Sequence, residues 1–367
     1  MPANKNFENT GNIPGDILKP NIHDNNRGLK TFSAGMNYRQ ALKELESGTS
    51  IKIEGTYATA VSIYSWIKKN INLNNPADDY NSVRKLKQHI NLLTNKLFIR
   101  IKDHKVDLHK APEIKWLKVF YPGKNDFLIS LPDMLGMNGA WQWYLTGIDY
   151  PVINTRLHPF YGVYFPSRKE HLLLFDKWLS GSKEKFSYGH DIGTGCGILS
   201  FIMAKQGIRN IYATDINPNA VYSTSLEFER INTCNTIKVE RASFFGSLNE
   251  VQGLTVFNPP WIPGIAFNMM DRGIYYDAGF FKNFFDQAEQ KMSTGSTLAI
   301  IFSNFAVEAG ITDQNPVEKE ISLNNNFRVR EKLSSKIHER TTKKGKSWLN
   351  HIREKEITEL WIIERQS

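Results

Sequence analysis

Between residues 186 and 304 the chain switches repeatedly between two periods, and this limits its fold more than any other feature. "FSYGHDIG" is an apolar run suited to a strand, and "GILSFIMAKQG" has the length and glycine stop of a helix. "NIYATDI" reads as strand and "PNAVYSTSLEFERIN" as helix. "TIKVERASF", "LTVFNPP" and "STLAIIFSN" read as further strands, with a helix, "FFKNFFDQAEQKM", before the last. Strands alternating with helices pair in parallel, because a parallel crossover needs a helix-length connection, and helices then cover both faces of the sheet. The expected fold is α/β, a doubly wound Rossmann-like sheet. "NFRVREKLSSKI" and "ITELWIIERQ" add two strands with no good helix between them, which predicts an antiparallel pair at the C-terminal sheet edge.

The first 150 residues carry a different pattern. Residues 33–48, 57–71 and 79–97 have helical spacing, while "LFIRIKDHKVDL", "WLKVFYP" and "DFLISLP" read as strands. "MNGAWQWYLTG", two tryptophans between glycines, reads as a loop that packs between domains or faces a substrate. A chain of 367 residues exceeds what one core usually serves. The expectation is a flexible lead-in over 1–30, a mixed α/β domain over 31–150 and the doubly wound domain over 151–367.

Composition narrows the classes. A hydrophobic fraction of 41% and an aromatic fraction of 12% supply globular cores and exclude global disorder. Two cysteines, Cys196 and Cys234, with no C-x-x-C, exclude a disulfide scaffold and a thiolate zinc site, and fit a reducing cytosol. The polar N-terminus lacks the apolar core of a signal peptide, and no run of about 18 apolar residues marks a membrane span. The reading is a cytoplasmic protein with no membrane and no metal; His158, the histidine weighed as a ligand, has no metal partners at useful spacing. The formal charge of +9 suits an anionic partner such as nucleic acid but specifies none.

The chemistry is concentrated in "HDIGTGCGILS". Asp191 stands at a strand end, followed by Gly193, Gly195 and Gly197, which let the backbone turn sharply and approach a ligand. The next helix offers its N-terminal amides there. The spacing is G-x-G-x-G, not the G-x-G-x-x-G of dinucleotide sites, and no Gly-Lys-Ser/Thr follows, so the loop suits a ligand without a diphosphate. This disfavours an NAD-dependent oxidoreductase. Asp215 ends the next strand, where an acid can accept both hydroxyls of a ribose. The alternative for Asp215 is a helix N-cap, which Asn217 could supply instead.

"DIGTGCG", "ATDINPNAV" and "NPPW", in this order, resemble the class I S-adenosylmethionine-dependent methyltransferases. Within them they resemble the amino-methyltransferases with an Asn-Pro-Pro-aromatic motif, among which are HemK-like glutamine methyltransferases and rRNA and DNA base methyltransferases. "GVYFPSRKEHLLL" is similar to the segment upstream of the cofactor loop in HemK-like enzymes. The resemblance covers roughly residues 157–365 and implies a seven-stranded methyltransferase sheet and S-adenosylmethionine as cofactor. It implies that Gly193, Thr194, Gly195 and Gly197 face the methionine and ribose parts, and that Asp191 helps hold the amino group. Asp215, with Ile216 and Asn217, would take the ribose. Ser243 and Phe244 would meet the adenine, Ser243 standing where many relatives carry an aspartate; a serine hydroxyl also accepts. Asn258, which would also border the cofactor, Pro259, Pro260 and Trp261 would form the catalytic lip. There the Asn258 side-chain oxygen and the Pro259 carbonyl hold an NH2, and Trp261 offers a flat face to a planar acceptor. Tyr164, Arg168 and Trp261 are the candidate substrate-binding residues; Arg168 and Glu170 equally suit a solvated helix start, and Tyr161, Tyr164 and Phe165 could cover the substrate pocket, although aromatics in such a place more often belong to a core.

The acceptor stays open between a nucleic-acid base, a protein glutamine and a small amino- or amide-bearing metabolite. The basic stretch 328–355 could track a phosphate backbone or form a solvated hairpin. A non-catalytic binding module with this fold is the alternative of another class.

Overall fold

The computed structural model describes residues 13–24, 28–33, 36–74, 78–231, 236–267, 269–336 and 348–367. The chain divides into two compact units, Met1–Leu145 and Thr146–Ser367.

In the first unit the elements are β1 (Ile22–His23), β2 (Lys30–Phe32), α1 (Tyr38–Glu46), β3 (Ile51–Ile53), α2 (Tyr57–Asn74), α3 (Tyr80–Thr94), β4 (Leu97–Lys102), β5 (Lys105–Val106), α4 (Trp116–Phe120), β6 (Asp126–Ser130) and α5 (Leu131–Thr146). The sheet runs β1-β6-β4-β3-β2 with β5 beside β4. Strand β4 shows why it is a strand: Leu97, Ile99 and Ile101 are fully buried while the residues between them face outward. Helices α1 and α3 start at Asn37 and Asp79, whose side chains accept from Gln40 N and Ser82 N.

Three expectations fail in this unit. "WLKVFYP" is not a strand. It forms α4, because Trp116, Leu117 and Phe120 share one buried side, a set that period 2 cannot bring together. "MNGAWQWYLTG" is not a loop but the body of α5, whose Met134, Met137, Trp141 and Tyr144 are buried at spacings of three and four. Burial of that stripe outweighs the helix-weakening of Gly136 and Gly139. Trp141 lies edge-on to Trp116 at 5.1 Å, and Trp143 is half exposed. Within the lead-in, residues 13–24 are packed: β1 pairs with β6, Ile17 is buried, and the Tyr121 hydroxyl donates to Pro20 O at 2.6 Å.

The second unit begins with the hairpin β7 (Ile148–Tyr150) and β8 (Thr155–Leu157), then α6 (Glu170–Gly181). There follow β9 (Tyr188–Ile192), α7 (Ile198–Lys205), β10 (Asn210–Asp215), α8 (Pro218–Ile231), β11 (Thr236–Arg241), β12 (Leu254–Phe257), β13 (Ile262–Pro263), β14 (Tyr275–Tyr276), α9 (Phe280–Lys291) and β15 (Thr297–Ser303). The chain closes with α10 (Phe305–Glu308), α11 (Pro316–Leu323), β16 (Phe327–Lys336), α12 (Trp348–Lys355) and β17 (Ile357–Arg365). The main sheet has the order β11-β10-β9-β12-β15-β17-β16. Strands β11 to β15 run parallel, while β17 is antiparallel to β15 and β16 antiparallel to β17. Helix α12 lies between the last two strands in sequence, where no helix was expected; its eight residues are too few for the apolar period to stand out.

Both faces of this sheet are covered. Leu298, Ile300, Phe302, Trp361 and Ile363 pack with α9 through Phe281, Phe284, Phe285 and Ala288. The alternate residues Ala299, Ile301, Leu360 and Ile362 point to the other face and are buried too. That is why β15 reads as a continuous apolar run.

Candidate active site

Order in the sheet brings the motifs together. Strands β11, β10, β9 and β12 are neighbours, so their carboxyl ends form one row: Ser243, Asp215, the glycine loop and Asn258. The order in which strands are added reverses at β9, with β10 and β11 on one side and β12 and β15 on the other, and at such a switch point the crevice beyond the carboxyl ends of the parallel strands takes a ligand. A cavity lies there, offering about 160 Å³ to the centres of water-sized molecules.

Gly193, Thr194 and Gly195 line it. Gly195 has a φ of +54°, and a Cβ there would stand 2.9 Å from the Tyr164 carbonyl oxygen, so the position admits no side chain. Gly197 does not line the cavity. With φ at +82°, it lets α7 start against α8, where a Cβ would meet Thr224 Cγ2 at 3.0 Å. Its role is packing rather than facing a ligand.

Asp191 does not line the cavity either. It is fully buried beneath the loop and takes three bonds on Oδ2, from Thr194 Oγ1, Ser200 N and Ser200 Oγ at 2.8, 3.0 and 2.6 Å. Burial pushes its carboxyl above the usual range, and the Ser200 and Thr194 bonds pull it back. Asp191 therefore clamps the loop from behind through Oδ2, while its Oδ1 is buried without a hydrogen-bond partner among the described residues.

Asp215 lines the cavity with Ile216 and Asn217. Its Oδ2 accepts from Gly195 N at 2.9 Å and its Oδ1 from Asn217 N at 2.8 Å. Each carboxylate oxygen has more than one lone pair, so both keep capacity for a ligand hydroxyl. Burial raises the Asp215 carboxyl to about 6. The N-cap role falls to Asn217, whose Oδ1 accepts from Asn219 N at 3.0 Å. Ser243 and Phe244 line the far end, and the Phe244 ring is edge-on to Phe257, Phe280 and Phe284.

At the other end of the row, Asn258 and Pro260 line the cavity, while Pro259 and Trp261 do not. Trp261 Nε1 donates to Asn258 Oδ1 at 3.0 Å, and its ring stands edge-on to buried His171, 5.8 Å away. An indole N–H only donates, so the Asn258 atom facing it is the oxygen. Trp261 thus braces the lip from the side and offers the cavity no flat face. Burial lowers the His171 imidazole to about 4, so that neighbour is neutral at pH 7.

Of the substrate candidates, Tyr164 lines the cavity. Arg168 turns away and pairs with buried Glu356 at 3.0 Å, and Glu170 accepts from Lys169 N. The sequence reading missed Met269, Met270, Arg272 and Gly273, which also line the cavity. They belong to a stretch with no period, whose base is pinned by β13 and β14 pairing Ile262 with Tyr275 and Pro263 with Tyr276. Its position directly after the lip is the one signal that could have found it. Among the described residues no group of three or more His, Cys, Asp or Glu is placed to hold a metal, and no helix is long and apolar enough to cross a membrane. In the basic stretch, Arg330 pairs with Glu184 and Lys332 with Glu359, while the tip at 337–347 lies outside the described residues.

Residues 174–252 match the family model of ribosomal protein L11 methyltransferase (PrmA). A Methanocaldococcus jannaschii protein named as a protein N5-glutamine methyltransferase is 34% identical over 116 residues. That match covers 32% of this chain and spans 55% of the relative's length. Among solved structures, ribosomal protein L11 methylase of Lactobacillus delbrueckii subsp. bulgaricus aligns at 15% identity and a TM-score of 0.39, over 58% of this chain and 87% of that one. An rRNA methylase of Streptococcus thermophilus aligns at 13% and 0.36, over 56% of this chain and 100% of that one. Likenesses of that size carry no argument about this chain. The family model and the archaeal relative support a class I S-adenosylmethionine-dependent methyltransferase.

Proposed function

We propose that this protein transfers a methyl group from S-adenosylmethionine to a planar nitrogen on a macromolecule, a protein side-chain amide ahead of a nucleic-acid base. One observation carries the reading. Asn258, at the end of β12, lines the same cavity as Asp215 and the glycine loop, so a nitrogen-holding group and a ribose-holding group share one chamber.

The residues fit the cofactor. Gly193 lines the cavity with a φ of +65°, and a Cβ there would project toward Phe257, reaching 3.8 Å from its ring. Asp215 keeps acceptor capacity for a ribose. Ser243 and Phe244 would border the base, in the order the strands give: base at β11, ribose at β10, methionine end at β9, acceptor at β12. When bound, S-adenosylmethionine supplies an electrophilic methyl group. The remaining work belongs to the chain. An amide nitrogen is a weak nucleophile because its lone pair is delocalised. Asn258 Oδ1 and the Pro259 carbonyl would accept its N–H bonds, aim it, and favour the positive charge that grows on it. Orientation of this kind contributes up to about 7–11 kcal/mol, and fixed dipoles act without reorganisation. Trp261 keeps the Asn258 oxygen turned as it is. No strong base is required, since the alkylated nitrogen is acidic enough to lose its proton to water.

Two observations favour a protein acceptor. The archaeal relative is named for protein glutamine. Beside the lip, Ile265, Phe267, Met270 and Ile274 are exposed by 73, 60, 45 and 40%, an apolar rim with little positive charge to meet phosphates. The nucleic-acid reading keeps one observation: residues 1–145 hold 20 Lys and Arg against 13 Asp and Glu, +7 of the total +9. Asn258→Ala tests the lip. Turnover is expected to fall by at least about 100-fold with S-adenosylhomocysteine affinity unchanged; unchanged turnover removes the lip from the mechanism.

A further inference from the structure

The cavity contains one acid and one base among its described lining residues, Asp215 and Arg272. The acid holds the ribose in the proposed function, and any role for the base rests on that same cofactor occupying the cavity. Arg272 itself has no assignment. It is exposed on its outer side and makes no ion pair among the described residues. The neighbouring acid, Asp271, is tied into the loop by accepting from Phe267 N at 3.2 Å.

The loop that carries Arg272 is built to hold it in place. Ile262 N donates to Ile274 O at 3.1 Å and Gly264 N to Tyr276 O at 2.8 Å, closing the base. Residues Asp271–Gly273 form a 3-10 turn, with Gly273 N donating to Met270 O at 3.1 Å. The contacts of Tyr164 fix which end of the cavity this is. A Cβ on Gly273 would stand 3.3 Å from the Tyr164 ring, and a Cβ on Gly195 would stand 2.9 Å from the Tyr164 carbonyl. Tyr164 is thus sandwiched between Gly273 and the glycine loop. Arg272 belongs to the β9 end of the row, away from Ser243 and Phe244.

We propose that Arg272 is the anchor for the α-carboxylate of the cofactor's methionine moiety. The cofactor carries one carboxylate, and it lies at the end opposite the base. Arg272 is the one guanidinium among the described lining residues, and carboxylates suit that planar fork.

The test is calorimetric titration of the full chain with S-adenosylmethionine and with its decarboxylated analogue, which keeps the nucleoside, sulfonium and amine. Wild type is expected to prefer S-adenosylmethionine by about 10- to 100-fold, the worth of a charge-assisted bond. Arg272→Ala is expected to erase that preference, weakening S-adenosylmethionine while leaving the analogue within about 2-fold, and Arg272→Lys to keep part of it. An equal effect of Arg272→Ala on both ligands, or none on either, overturns the assignment while the cofactor reading stands. Binding of neither ligand by wild type overturns the cofactor reading and the assignment with it.

Discussion

Trp261 and Asn258 show where single residues could and could not be read. The four-residue string Asn-Pro-Pro-Trp marks a strand end that lines the cavity, and Asn258 and Pro260 are there. The tryptophan's place is different from the expected platform, because an indole offers both a flat face and a donor, and the fold uses the donor toward Asn258. Trp261→Phe keeps an aromatic ring, although a smaller one, and removes the N–H. It is expected to lower kcat by about 10-fold, the worth of one half-buried hydrogen bond, with little change in cofactor affinity. An unchanged kcat would show that the Asn258 oxygen needs no brace. Asp215 gives a pH signature. Its carboxyl titrates near 6 because burial disfavours the charge, so the ionised acceptor is present above that pH and lost below it. Affinity for S-adenosylhomocysteine is expected to fall as pH drops from 7 to 5 in wild type and to stay flat in Asp215→Asn. A flat wild-type profile would place the ribose elsewhere.

At the scale of elements, the alternation of strand and helix from β9 to β15 was legible because β9, β10, β12 and β15 are buried along nearly their whole length and α7 stops at Gly207. The failures are equally physical. Helix α4 is too short to show a period, and α5 carries glycines that usually break helices, yet its apolar stripe finds Trp116 and wins. The loop holding Arg272 has no period at all, so only the folded chain brings it to the cavity. Two tests belong here. Gly195→Ala forces a side chain into a positive φ and against the Tyr164 carbonyl, and is expected to cost about 1–3 kcal/mol of stability and to abolish cofactor binding. Phe284, fully buried in α9, packs against Phe244, Phe245 and Phe257. Phe284→Ala is expected to cost about 3–5 kcal/mol in a denaturant melt and to loosen the Phe244 end of the cavity. A loss below about 1 kcal/mol would show that this core repacks without it.

At the scale of the whole molecule, every described lining residue of the cavity comes from Thr146–Ser367. A chain of residues 146–367 is therefore expected to bind S-adenosylhomocysteine about as tightly as the full protein in a calorimetric titration; loss of binding would show that the cavity needs Met1–Leu145. The charge asymmetry between the units separates the two acceptors. A nucleic-acid acceptor docking on the first unit would make turnover fall steeply with salt, while a protein amide held by the apolar rim would not.

The most direct measurement is transfer of labelled methyl from S-adenosylmethionine by the full chain to a cell lysate afterwards separated into protein, RNA, DNA and small-molecule fractions, run beside Asn258→Ala. Label is expected in the protein fraction with wild type and none with the variant, while both bind S-adenosylhomocysteine. Equal labelling by both, or no cofactor binding by wild type, would contradict the proposed mechanism.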